Sequence, residues 1–64
     1  MKATAELIST QQVEYGYAIT FLINSSYYKT FLISGYNRQA SIMYARSMAQ
    51  REANEGAQFI NQPA

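Results

Sequence analysis

The chain has 64 residues and a net charge of only +1, because five lysines and arginines stand against four acidic residues. This balance excludes both the strongly basic surface of a general nucleic-acid binder and the acidic surface of a DNA mimic. The sequence contains no cysteine and no histidine, so neither disulfides nor the commonest zinc ligands support the core. We expect one small domain, residues 1–64, that gains stability from self-association or from a partner.

The first segment, residues 1–12, mixes helix formers with a polar tail and shows no sustained hydrophobic period. This composition predicts an N-terminal arm or a short helix. Residues 13–24 then alternate in polarity, with one exception at Leu22. The apolar and aromatic residues occupy the odd-numbered positions: Val13, Tyr15, Tyr17, Ile19, Phe21 and Ile23. A period of two residues is typical of a β-strand with one apolar face.

Asn24, Ser25 and Ser26 form a turn cluster, and a second strand follows, so residues 13–34 are predicted to form a β-hairpin. A two-residue tip would pair Phe21 with Thr30, whereas a three-residue tip would pair Phe21 with Phe31. The longer loop is preferred because it gathers more apolar side chains on one face. It also suits a tip without the glycine that tight hairpin turns favour.

Asn37 is a good N-cap, and the sequence predicts a helix over residues 38–54 in which Ala45 and Ala49 allow close packing on the sheet. Gly56 is the expected stop. Residues 57–61 are expected to add a short third strand or to stay outside the sheet, and residues 62–64 to fray. The predicted fold is α+β: an antiparallel β-hairpin followed by one α-helix packed on one sheet face, in ββα or ββαβ order.

Catalytic and metal-binding motifs are missing from the sequence. No histidine is available as a general base, and the three glycines lie too far apart for a phosphate loop. We therefore expect no enzyme, no catalytic residue, no cofactor and no metal. A membrane helix through the apolar middle would bury Lys29, and the first residues lack a signal-peptide core, so a cytoplasmic protein without membrane contact is expected.

Six tyrosines give the chain its unusual composition. Tyr27 and Tyr28, beside the hairpin tip, are either contact residues or ordinary cross-strand neighbours. Met43 falls in the polar sector of the helix, where it is either an ordinary exposed methionine or part of an adaptable interface. The predicted binding residues are Tyr27, Tyr28, Lys29, Met43, Arg46 and Gln50.

One sheet face, carrying Ala18, Leu22 and Leu32, has no element left to cover it. A symmetric dimer through that face or through a strand edge is the simplest remedy, so a homo-oligomer is expected. In order of elements the chain is similar to antitoxin-like hairpin–helix domains, phage-encoded inhibitors of bacterial RNA polymerase and double-stranded RNA-binding domains. This likeness concerns layout alone, and no residue motif extends it.

The favoured function is a small non-catalytic protein-binding module, an inhibitor or adaptor of phage or bacterial origin that occupies the surface of a partner protein. Two alternatives stay open. One is a nucleic-acid-binding module using Tyr and Arg on the sheet and helix, which is not favoured because Arg38, Arg46 and Arg51 project in different directions. The other is a structural or virion assembly subunit whose core is completed by its neighbours.

Overall fold

The computed structural model describes the backbone of residues 2–61 and the side-chain surroundings of residues 2–57. Within this range three strands, β1 (Ala5–Val13), β2 (Gly16–Ile23) and β3 (Tyr27–Ser34), form one antiparallel sheet in the order β1-β2-β3. A single helix, α1 (Arg38–Asn61), follows and packs on one face of the sheet. The predicted α+β class is confirmed, while the predicted fraying of residues 62–64 lies outside the described residues.

β1 replaces the arm or short helix predicted for residues 1–12, and that prediction was wrong. Ala5 and Leu7 pack against the core, and Thr10 pairs with the buried Ile19. The register shifts between Leu7 and Ser9, where a β-bulge inserts one residue. Because a bulge moves the alternation by one position, it hides the strand period from a scan of the sequence.

The single strand predicted to begin at residue 13 is divided by a turn at Glu14 and Tyr15. Val13 ends β1 and pairs with Gly16, so it lies on the opposite face from Ile19. A Cβ atom on Gly16 would stand 2.0 Å from the carbonyl oxygen of Ile33. Only glycine lets β3 approach β2 this closely.

The register of the β2–β3 hairpin differs from both predicted registers. The preferred three-residue loop is confirmed, but Phe21 lies opposite Lys29, and Ile19 lies opposite Phe31. The predicted pairing was therefore wrong by two residues. A shift of two preserves the face of every side chain, and the Phe21 and Phe31 rings still meet edge to face with their centroids 6.2 Å apart.

Asn24 explains that register. Asn24 and Ser25 have φ angles of 52° and 54°, and the Ser26 N–H donates to the Ile23 carbonyl at 2.9 Å, so the loop contains a tight turn. The Asn24 N–H donates to the Thr4 carbonyl at 2.8 Å, and its Oδ1 accepts from the Thr4 N–H at 2.9 Å.

The amide nitrogen of Asn24 also reaches the helix. Its Nδ2 donates to the Ala53 carbonyl at 3.0 Å. One side chain at the hairpin tip thereby joins the start of β1 to the C-terminal half of α1.

The core is built from large residues of β2 and small residues of α1. Ile19, Phe21 and Ile23 are fully buried. The helix packs against them with a stripe of small residues, one at every fourth position: Ser41, Ala45, Ala49, Ala53 and Ala57. These side chains lie one above another on a helix, and their small size lets α1 lie close to the sheet.

Asn37 caps α1 as predicted, since its Oδ1 accepts the Ala40 N–H at 2.8 Å. The helix continues to Asn61, so the predicted end near residue 54, the stop at Gly56 and the strand over residues 57–61 were wrong. Ala53 and Ala57 bury their side chains on either side of Gly56. This packing outweighs the cost of roughly 1 kcal/mol for a glycine inside a helix.

Candidate protein-binding surface

The sheet face opposite α1 forms the candidate surface, and we call it the open face. Successive residues of a strand point to opposite faces, so the register assigns each side chain to one of them. The open face carries Glu6, Ser9, Gln11 and Val13 of β1, Ala18, Thr20 and Leu22 of β2, and Tyr28, Thr30, Leu32 and Ser34 of β3. The uncovered residues predicted from the sequence, Ala18, Leu22 and Leu32, lie on it.

Apolar and hydroxyl groups dominate the open face. Leu32 is 76% exposed and Tyr28 is 66% exposed, values that are high for large side chains of a regular strand. The Thr20 and Thr30 hydroxyl oxygens lie 2.8 Å apart, which joins β2 to β3 across this face. Among the residues assigned to the open face, all of them within the described range, Glu6 is the one with a charge.

A cleft of about 400 Å³ lies at the end of the sheet where β1 turns into β2. Residues 13–17 and 32–34 line it, and Glu14 supplies the charge among them. Tyr15, at the rim, is 78% exposed. An acidic group beside tyrosine rings can receive a cationic or apolar side chain from a partner.

Tyr27 and Lys29, two of the predicted binding residues, are engaged within the fold. The Tyr27 hydroxyl donates to Oε2 of Glu52 at 2.7 Å, and the Lys29 ammonium pairs with Oε1 of the same carboxylate. The Lys29 Nζ also lies 5.7 Å from the centroid of the Phe31 ring. These contacts fasten β3 to α1.

This cluster also shifts the titration of its members. The hydrogen bond from Lys29, followed by that from Tyr27, lowers the pKa of Glu52 from its ordinary value of 4.5, against the opposing effect of burial. The hydrogen bond to Glu52 raises the pKa of Tyr27 above 10.0. The charged carboxylate and the neutral phenol are therefore both favoured by the fold.

Arg46 and Gln50 lie over the β1 side of the sheet. The Arg46 guanidinium carbon lies 5.7 Å from the centroid of the Phe21 ring, which it covers. The Gln50 Nε2 donates to the Ala3 carbonyl at 3.4 Å and to Oδ1 of Asn54 at 3.0 Å. Both side chains thus have contacts inside the molecule.

Met43 lies on the outer face of α1 and is 64% exposed. It borders a shallow pocket of about 360 Å³ together with Ala40, Tyr44 and Ser47. The Tyr44 ring packs against Tyr36, with centroids 4.6 Å apart, and hydrogen bonding of the Tyr44 hydroxyl to Tyr36 raises the pKa of Tyr44.

The structure does not bring the six predicted binding residues together. Of these six, Tyr28 lies on the open face, Met43 on the outer helix face, and the other four between sheet and helix or at its flank. Sequence reasoning missed the contacts of Asn24 and Glu52, whose partners lie twenty or more positions away along the chain. No local sequence pattern predicts such contacts.

No family model, no curated protein and no solved structure matches this chain. The described part of the chain contains no helix that is long and apolar enough to cross a membrane.

Proposed function

We propose that the protein is a small non-catalytic protein-binding module, an inhibitor or adaptor, that occupies a partner protein's surface with its open face. The exposure of Leu32 and Tyr28 on the regular strand β3 carries this proposal. Contiguous exposed apolar groups with polar neighbours are typical of protein-binding surfaces.

The distribution of charge favours a protein over a nucleic acid. Phosphate contacts require free lysine or arginine side chains along the bound surface. On the open face the charge is the carboxylate of Glu6. Lys29 is paired with Glu52 on the other face, and Arg46 covers the ring of Phe21.

The acidic groups also indicate the chemistry of the partner. Glu6 lies near the hairpin end of the sheet, and Glu14 lies at the opposite end beside the cleft. Between them the surface is neutral. A partner with an apolar centre and basic residues at its margins would complement this arrangement.

The test is affinity capture from a cell lysate with the wild-type chain and two variants. Leu32→Glu places a carboxylate on the open face, and Met43→Glu makes the matched change on the outer helix face. Both side chains are mostly exposed, 76% and 64%, so neither change should unfold the domain. We expect Leu32→Glu to lose the captured protein, with an affinity loss of roughly thirtyfold or more, and Met43→Glu to retain it.

Retention by Leu32→Glu with loss by Met43→Glu would move the binding surface to the helix. A captured nucleic acid with steep salt dependence would support the nucleic-acid alternative instead, because counterion release makes such binding fall with ionic strength.

A further inference from the structure

The two edges of the sheet differ in regularity. β1 contains a bulge, which distorts its ladder of outer backbone groups. β3 pairs with β2 over all eight of its residues without a register shift. Within residues 2–61 no strand pairs with the outer side of either edge. A regular edge strand is a template for another strand.

The hydrogen bonds of the hairpin show which backbone groups of β3 face outward. The Ile23 carbonyl accepts the Ser26 N–H and therefore points towards β3. Its pair with Tyr27 is of the hydrogen-bonded kind, and such pairs alternate along an antiparallel ladder. Tyr28, Thr30 and Leu32 thus direct their N–H and C=O groups away from β2.

From this geometry we infer that two copies of the chain associate by antiparallel pairing of their β3 edges, with Thr30 opposite Thr30 of the second copy. This register places Tyr28 opposite Leu32 of the second copy. Each pair joins residues with outward backbone groups, so each can exchange two hydrogen bonds. It also brings the two most exposed large apolar side chains of the strand into aromatic–aliphatic contact.

The flanks of α1 favour the β3 edge independently. Tyr44 and Met48 lie eight and four residues before Glu52, so all three share one side of the helix. Glu52 contacts Tyr27, so this side faces β3. They are 51% and 40% exposed. The flank towards β1 has polar side chains instead, at Arg46, Gln50 and Asn54. A second copy at the β3 edge would cover the Tyr44 and Met48 side chains, whereas one at the β1 edge would meet the polar ends of Arg46, Gln50 and Asn54.

The two helices fit above the joined sheet. Three strand spacings of roughly 4.8 Å separate β2 from β2 of the second copy, about 14 Å in all. Packed helices approach to about 8–10 Å. The difference leaves room between the helices for Tyr44 and Met48 of both copies.

Pairing would convert two three-stranded sheets into one sheet of six strands with a doubled open face. The inference does not rest on the proposed function, because outward backbone groups of β3 join the copies. Tyr28 and Leu32 contribute side chains to both surfaces, so the mass of the dimer and the capture of a partner are measured separately.

The experiment uses total chemical synthesis, because N-methylation removes a backbone donor without altering the side chain. N-methyl-Thr30 blocks the β3 edge. N-methyl-Thr10 is the matched control on the β1 edge, since the pair of Thr10 with Ile19 leaves its N–H outward. Mass is measured by sedimentation equilibrium at tens of micromolar, and folding is checked by circular dichroism.

We expect the wild-type chain and the N-methyl-Thr10 chain to sediment as dimers, with twice the chain mass of 7.3 kDa. The N-methyl-Thr30 chain should sediment as a monomer with the chain mass. A monomeric wild type, or a dimer that survives N-methylation of Thr30, overturns the inference.

If N-methyl-Thr30 fails to fold, Met48→Glu replaces it. We expect this variant to weaken the dimer about tenfold or more, while Met43→Glu leaves it unchanged. Equal masses for these two variants would also overturn the inference. Partner capture is measured separately, and capture by a monomeric N-methyl-Thr30 chain would support the proposed function on its own.

Discussion

Replacing Gly16 by alanine tests the close approach of the β3 backbone to β2 at this residue. The added Cβ would lie 2.0 Å from the Ile33 carbonyl oxygen, whereas Cβ contacts shorter than 3.0 Å are essentially never seen. Because the opposing atom belongs to the backbone, rotation of a side chain cannot relieve the clash. The end of β3 must move by about 1 Å or more.

The magnitude follows from that displacement. A movement of this size breaks one or two hydrogen bonds at the end of the ladder, each contributing about 1 kcal/mol. Residual strain of overpacking adds about 1–3 kcal/mol. We expect Gly16→Ala to lower the free energy of unfolding by roughly 2–4 kcal/mol, a large part of the margin of a small domain. The melting temperature should fall by roughly 10–25 °C.

The assay is thermal and urea unfolding followed by circular dichroism, at one protein concentration because self-association also affects stability. Gly35→Ala is the matched control. Gly35 has a φ of 87° and no atom within 4 Å of its Cβ position, so alanine there costs only the left-handed conformation, roughly 1–2 kcal/mol. A Gly16→Ala variant at least as stable as Gly35→Ala would refute the close approach of β2 and β3.

Three further predictions concern the core, the hairpin tip and pH. Phe21→Ala should cost roughly 3–5 kcal/mol because Phe21 is fully buried, while Thr20→Ala should cost about 1 kcal/mol; equal urea midpoints would contradict the face assignment. Asn24→Ala loses bonds to Thr4 and α1 and places alanine at a φ of 52°, so we expect a loss of about 2–3 kcal/mol in the same assay, and an unchanged midpoint would exclude this role. The lowered pKa of Glu52 contributes stability above its unfolded value near 4.5, and this contribution is lost as the pH falls through the lower folded value. Urea unfolding between pH 3 and 6 should therefore show a smaller acid loss for Glu52→Gln than for the wild type, and parallel profiles would contradict the pairing.

Part of the candidate surface could be predicted from the sequence. The alternation places Ala18, Leu22 and Leu32 on the second face of the sheet, and a single helix covers only one face. The structure places all three on the open face. The binding set could not be predicted as a unit. Tyr27 and Lys29 are polar residues near a turn, but their contact with Glu52 depends on how α1 crosses β3.

The sequence by itself determined the features that depend on neighbours along the chain. The alternation that buries Ile19, Phe21 and Ile23 and the cap at Asn37 are local, because strand pleating and helix capping involve residues a few positions apart. These features sufficed for the α+β class and for the helix on one sheet face.

Only the tertiary structure decided that residues 5–13 form strand β1, which register the β2–β3 hairpin takes and how far α1 extends. The alternation of apolar and polar residues in β1 is weak because the bulge shifts it by one position. Pairing with β2 therefore determines that this segment is a strand. Gly56 stays helical because Ala53 and Ala57 reach the core on either side of it. In each case burial between distant segments outweighs local propensity, since packing of apolar side chains contributes more than the roughly 1 kcal/mol that separates local conformational preferences.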